Sequence, residues 1–105
     1  MKKIIITEEQ LSKLIEEGKY DYEIYHKTYT SAIKTALKYA NIRGYEYDED
    51  EVATRVGFGP RKPDAGNTNK FTITLYKDGK ELRKTLQIQV YGMESGNYEL
   101  NTYIA

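Results

Sequence analysis

The chain predicts an α+β fold: one main helix packed on a three- to four-stranded antiparallel β-meander, preceded by an N-terminal arm with a short helix. Three observations carry this. Phe71-Thr-Ile-Thr-Leu-Tyr76 alternates apolar and polar residues, Asp78-Gly79 supplies a tight turn, and Leu82 to Tyr91 alternates again. Ile33, Ala36, Leu37 and Ala40 form one helical stripe. A turn near Glu94-Ser-Gly-Asn97 leads to a further alternating run, Tyr98 to Ile104. The organisation predicted is an arm with a short helix and linker over residues 1–27, then an α+β domain over residues 28–105.

In the arm, Lys3 to Ile6 suits a short strand or an extended segment. Thr7-Glu8-Glu9-Gln10 has capping-box form, since the Thr7 hydroxyl accepts from the amide three residues on while Gln10 reaches back. Leu11, Leu14 and Ile15 follow at helical spacing, and Gly18 suits a left-handed stop. A helix of about ten residues does not persist alone in water, so its apolar stripe must dock on this domain or on a neighbour. Lys19 to Tyr29 is polar and tyrosine-rich and predicts a linker or irregular strand.

The main helix begins near Thr30 or Ser31, either of which can cap it, and closes at Gly44. Small residues at Ala32, Ala36 and Ala40 let it lie close against a sheet. Five carboxylates crowd Glu46 to Glu51, and Val52, Thr54, Val56 and Phe58 then alternate as a first strand. Residues 57–69, rich in Gly, Pro and Asn, predict a long loop, which in a small domain is more often functional than incidental. In the hairpin, a two-residue type I′ turn pairs Lys77 with Lys80. Counting back sets Leu75 opposite Leu82, Phe71 opposite Leu86 and Lys84 opposite Ile73. Tyr98, Leu100 and Ile104 are expected to point inward.

Composition narrows the function. The 105 residues suffice for one core. Sixteen basic residues balance sixteen acidic ones, so no global charge draws the chain to nucleic acid or to anionic membrane. With no cysteine, disulfides, thiol nucleophiles and Cys-based metal sites are excluded. The apolar Ile4-Ile5-Ile6 run ends at Thr7, short of the roughly 7–15 residues of a signal-peptide core. An intracellular setting without membrane insertion is expected. Tyrosine supplies eleven of the thirteen aromatic residues. Two readings of that excess stay open: an AT-rich coding composition, or an interaction surface that needs one greasy and one wet side.

No catalytic, cofactor or metal site is expected, and the chain reads as non-enzymatic. His26, the only histidine, has no serine or acid at a recognised motif spacing and is expected to be solvated. The 46–51 acids lack the ligand spacing and mid-loop glycine of an EF-hand. Partner contacts are expected from Ile4, Ile5, Leu11, Leu14, Tyr20, Tyr22, Tyr25, Phe58, Arg61 and Lys62, and from exposed strand edges. Arg55, Arg61, Lys62 and Lys70 give the 55–70 region a local positive charge, and nucleic-acid binding through them is the alternative. The solvent side of the hairpin, with Tyr76 and Tyr91 among Thr and Gln, lacks the Phe-rich signature of a base-stacking sheet.

Several stretches look familiar together. Tyr29-Thr-Ser-Ala-Ile33, the Gly-Tyr-Glu-Tyr-Asp-Glu-Asp segment at 44–50, Leu86-Gln-Ile-Gln-Val-Tyr91 and Tyr98-Glu-Leu-Asn-Thr-Tyr-Ile104 are similar to small virion proteins of tailed bacteriophages. Ile6-Thr-Glu-x-Gln-Leu11 also resembles N-termini that recur in phage proteins, including those of crAss-like phages. The resemblance covers roughly residues 28–104 and transfers no catalytic residue. It implies a bacteriophage virion structural protein, an auxiliary or decorating capsid component made in the host bacterial cytoplasm. Such a protein would bind neighbouring capsid proteins in multiple copies. The alternative it leaves is a small phage nucleic-acid-binding or host-modulating protein.

Overall fold

A computed structural model describes residues 22–105. The order is β1 (Tyr25–His26), α1 (Tyr29–Ile42), α2 (Glu49–Val52) continued by a π-helical turn (Ala53–Gly57), β2 (Thr68–Lys77), β3 (Lys80–Gly92) and β4 (Tyr98–Ile104). The architecture is α+β, with an antiparallel sheet ordered β1-β4-β3-β2. The arm helix expected around Leu11 and Leu14 lies outside the described residues.

The core forms where the two periodicities meet. Phe71, Ile73 and Leu75 from β2, Leu86, Ile88 and Val90 from β3, and Leu100 from β4 are buried on one side of the sheet. Ala32, Ile33, Ala36 and Ala40 of α1 are buried in the same cluster. The three alanines are fully enclosed, so the helix backbone approaches the sheet closely. Thr102 also points inward, with its hydroxyl donating to the Gln87 carbonyl at 2.7 Å. Tyr98, Leu100 and Ile104 share that side as expected, with Tyr98 and Ile104 packed at the margin of the core.

The helix starts earlier than Thr30. Thr28 is the cap, its hydroxyl accepting from the Ser31 amide at 3.1 Å. At the far end Gly44 has a φ of 86°, which favours glycine. Arg43 folds back over Tyr39, 3.5 Å from the ring centroid, and donates to the Tyr39 carbonyl.

The hairpin turn is as the sequence predicts. Asp78 and Gly79 both have positive φ, 52° and 75°, as a type I′ turn requires, and Lys77 pairs with Lys80. The register beyond it is different. After Tyr76↔Glu81 an irregularity intervenes and pairing resumes at Thr74↔Thr85, so Ile73 faces Leu86 and Phe71 faces Ile88. The predicted pairs Phe71–Leu86 and Ile73–Lys84 are therefore corrected by two residues, while Leu75, predicted opposite Leu82, falls in the irregularity itself. An even shift keeps side-chain parity, so every core residue stays inside.

The predicted strand at 52–58 is instead helical. Asp48 caps α2 by accepting from the Asp50 amide at 2.9 Å, and Glu49, Asp50 and Glu51 fill its first turn. Negative charge there complements the helix dipole. Val52 and Val56, four residues apart, both pack against the core. The apolar alternation was thus half of a helical stripe.

Residues 58–67 return along the end of the sheet and are stitched to β3. Gly66 donates to the Gly92 carbonyl at 2.8 Å, and Gly92 donates to the Asn67 carbonyl at 2.9 Å. A side chain on Gly92 would run into the backbone oxygens of Asp64 and Pro63. Gly92→Ala is expected to cost about 2 kcal/mol or more, at the upper end of ordinary substitutions. Denaturant unfolding would measure it, and a loss under half a kcal/mol would contradict this close approach. A second expectation concerns alkaline pH. Burial pushes the Tyr29 hydroxyl above its ordinary 10.0, outweighing the lowering by the Asn69 amide that donates to it. The neutral phenol's contribution is complete below pH 10.0 and is lost as pH rises through the raised folded value. Tyr29→Phe should therefore lose less stability than the parent between pH 10 and 11, as read by melts across that range.

Candidate functional site

A sheet has backbone groups to satisfy along both outer strands, and what covers them decides which surface is left for partners. On β2 the cover comes from the acidic segment. Glu46 and Tyr76 exchange both backbone hydrogen bonds at 2.8 Å. The Glu46 carboxylate also accepts from the Gly79 amide at 3.3 Å, bracing the hairpin turn. Next along, the Thr74 amide donates to both oxygens of Glu51, at 2.8 and 3.3 Å. Arg55 lies 3.9 Å from the same carboxylate. Three of the five acids thus hold this segment in place: Glu46 and Glu51 on the edge and turn, and Asp48 as a helix cap. No group of three or more potential metal ligands occurs among the described residues.

On β4 the cover comes from residues 22–26. The Leu100 amide donates to the Ile24 carbonyl at 2.7 Å, Tyr25 and His26 pair with Glu99 and Tyr98, and the Thr102 amide donates to the Tyr22 hydroxyl at 3.3 Å. The Tyr22 ring meets Tyr39 edge-on at 5.5 Å. His26 is buried rather than solvated, at 4% exposure. One ring nitrogen, Nε2, lies 2.7 Å from the Glu23 carbonyl, and Nδ1 lies 2.8 Å from the Ser31 hydroxyl. The expectation of a solvated histidine fails because β1 turns its side chain inward, where two neighbours satisfy it.

Among the described residues nothing covers the face of the sheet away from α1, where Thr68, Lys70, Thr72 and Asn101 are exposed. Register places Tyr25, Glu99, Tyr91 and Thr68 in one row across this face, then Asn101, Gln89 and Lys70, then Tyr103, Gln87 and Thr72. Side chains link along it: Thr72 donates to Gln87, Gln87 to Thr85, and Asn101 to Gln89, at 3.1, 2.8 and 3.1 Å. Tyr25, Tyr91 and Tyr103 are 58, 38 and 42% exposed, and Phe58, outside the sheet, is 87% exposed.

Comparison with known proteins finds no match for this chain, whether among family models, curated proteins or solved structures.

The residues singled out from the sequence divide accordingly. Ile4, Ile5, Leu11, Leu14 and Tyr20 lie outside the described residues. Tyr22 spends its hydroxyl within the domain, also donating to Asn101 at 3.3 Å. Tyr25 and Phe58 are exposed, as are Arg61 and Lys62. The Asn69 side-chain amide donates to the Arg61 carbonyl at 2.6 Å, which brings Arg61 beside the start of β2, where Lys70 is exposed. Arg55 lies beside the Glu51 carboxylate. Tyr103, which sequence reasoning passed over, joins the open face. Its signal was available, because it alternates with Leu100, Thr102 and Ile104.

Glu51→Ala should leave the Thr74 amide without its acceptor, costing about 1–3 kcal/mol as a part-buried unsatisfied donor. It should also lengthen the open part of the β2 edge and raise self-association. Thermal melts with light scattering would detect both, and unchanged values would remove Glu51 from the role of edge cap.

Proposed function

We propose that the protein is a bacteriophage virion structural protein, an auxiliary capsid component that binds neighbouring virion proteins. The observation that carries the reading is the open sheet face. Tyr25, Tyr91 and Tyr103 stand among Gln87, Gln89, Asn101 and Thr72, with Glu99 and Lys70 the charges in those rows. Tyrosine and neutral hydrogen-bonding groups are what protein interfaces favour, and a sparse charge pattern suits burial against another protein. Phe58 adds an apolar knob on a separate loop. The resemblance of residues 28–104 to small tailed-phage proteins supplies the virion setting.

Both sheet edges are capped over part of their length, which favours contact through faces and loops over strand addition. On β2 the stretch from Thr68 to Thr72 lies beyond the Glu46 and Glu51 contacts, no longer than one typical strand of about five residues. The second reading, nucleic-acid binding, rests on the approach of Arg61, Lys62 and Lys70. It predicts a salt-dependent affinity that weakens on Arg61→Ala/Lys62→Ala.

Mass spectrometry of purified phage particles tests the first reading. The protein should be present at many copies per particle, and its absence would overturn the proposal. Phe58→Ser and the Tyr91→Ala/Tyr103→Ala pair should change stability by no more than about half a kcal/mol each, as exposed sites do. If the open face and knob are the contact surface, these variants should reduce incorporation about tenfold, the effect of losing a contact of about 1.4 kcal/mol.

A further inference from the structure

His26 and Ser31 make an arrangement that the contact role does not use. The Glu23 carbonyl can only accept, so His26 Nε2 carries the proton of that 2.7 Å hydrogen bond. In the neutral ring Nδ1 is then an acceptor, and the Ser31 hydroxyl 2.8 Å away donates to it. Hydroxyl, imidazole and an acceptor that fixes the tautomer follow the logic of an activated serine, with a backbone carbonyl in the place of the usual carboxylate. The imidazole is 4% exposed and held at both nitrogens, so its aim is set. Ser31 is only half-buried and opens onto a cavity of about 270 Å³ lined by Thr28, Thr30, Ser31, Lys34, Thr35 and Lys38. It also sits in the first turn of α1, where the positive end of the helix favours negative charge on its oxygen.

We propose that Ser31 is a nucleophile activated by His26, and that the adjoining cavity accepts small acyl esters bearing a negative charge. Ser31 Oγ attacks the ester carbonyl as its proton passes to His26 Nδ1. The bond from the acyl carbon to the leaving oxygen breaks, and that oxygen takes the proton from Nδ1. Water, deprotonated in the same way, releases the acid and restores the hydroxyl. Lys34, exposed on the cavity wall, selects for the anionic group. The base precedes the nucleophile by five residues on a different element, a spacing that no serine-hydrolase motif marks. The inference is independent of the virion reading.

The test is labelling of the full chain with a biotinylated fluorophosphonate, in which Ser31 Oγ bonds to phosphorus and fluoride leaves. Peptide mass spectrometry should find the adduct on Ser31, and Ser31→Ala should abolish it. Labelling should be slower in D2O than in H2O, because proton transfer to His26 accompanies attack. His26→Gln should slow it about a hundredfold, the lower range for loss of a general base. The D2O comparison keeps the test decisive if that variant does not fold. The part of the hydrolysis that Ser31→Ala abolishes should be faster for p-nitrophenyl hemisuccinate than for p-nitrophenyl acetate. The carboxylate's attack on its own ester is subtracted as the rate that remains in that variant. An unlabelled chain, an adduct elsewhere, a folded His26→Gln labelled at the parent rate, or equal rates in the two waters would overturn the activated serine. Preference for acetate would overturn the charge selection.

Discussion

The backbone of a small open sheet leaves hydrogen-bonding groups along two outer strands, and closing them organises the rest of this molecule. β2 is long, and the acidic 46–51 segment lies against its hairpin end, contributing a backbone pair from Glu46 and a carboxylate from Glu51. β4 is closed by a two-residue strand and the Tyr22 hydroxyl. Two unlike pieces of chain therefore do one job. A carboxylate aimed at an edge amide satisfies the donor and places a charge where an incoming strand would have to pair.

That closure redirects where partners are sought. Exposed edges would have made strand addition the natural mode of association. With much of each edge occupied, the surface left is the flat face opposite α1 and the Phe58 loop. The side-chain links Thr72–Gln87–Thr85 and Asn101–Gln89 hold the polar groups of that face in place before any partner arrives. Side chains ordered in advance lose less entropy on binding, so a surface of modest area becomes a better contact. The same rows carry few charges, which is the wrong composition for a phosphate backbone and the right one for a protein surface.

Those parts of the fold that rest on local periodicity were legible in the sequence. The Asp78-Gly79 turn, the alternation in β2 and β3, and the alanine stripe of α1 each follow from a pattern within a few residues. The misses have two causes, a non-local partner and a local pattern that fits two periods. The β2–β3 irregularity cannot be counted from the turn, because the two-residue shift preserves parity and leaves the hydrophobic pattern unchanged. Val52 and Val56 fit a strand by alternation and a helix by their i, i+4 spacing. Asp48 as a cap, with three acids behind it, was the signal that separates the two. Glu46 and Glu51 were legible as members of an acidic cluster but not as edge caps, since Thr74, Tyr76 and Gly79 lie more than twenty residues further on.

His26 shows how far such non-local placement reaches. A lone histidine in a polar, tyrosine-rich stretch reads as solvated, because nothing nearby in sequence demands that it be buried. Its burial follows from edge closure: β1 must pair with β4, and pairing Tyr25 outward turns His26 inward toward the start of α1. There the Thr28 cap holds Ser31 in the first helical turn, within reach of the imidazole. A buried histidine among apolar residues would cost free energy unless both nitrogens found partners, and here both do. The tautomer that satisfies Glu23 is the one that leaves Nδ1 to accept from Ser31. Satisfying the buried ring and polarising the serine hydroxyl are thus the same arrangement, reached through the requirement to close an edge.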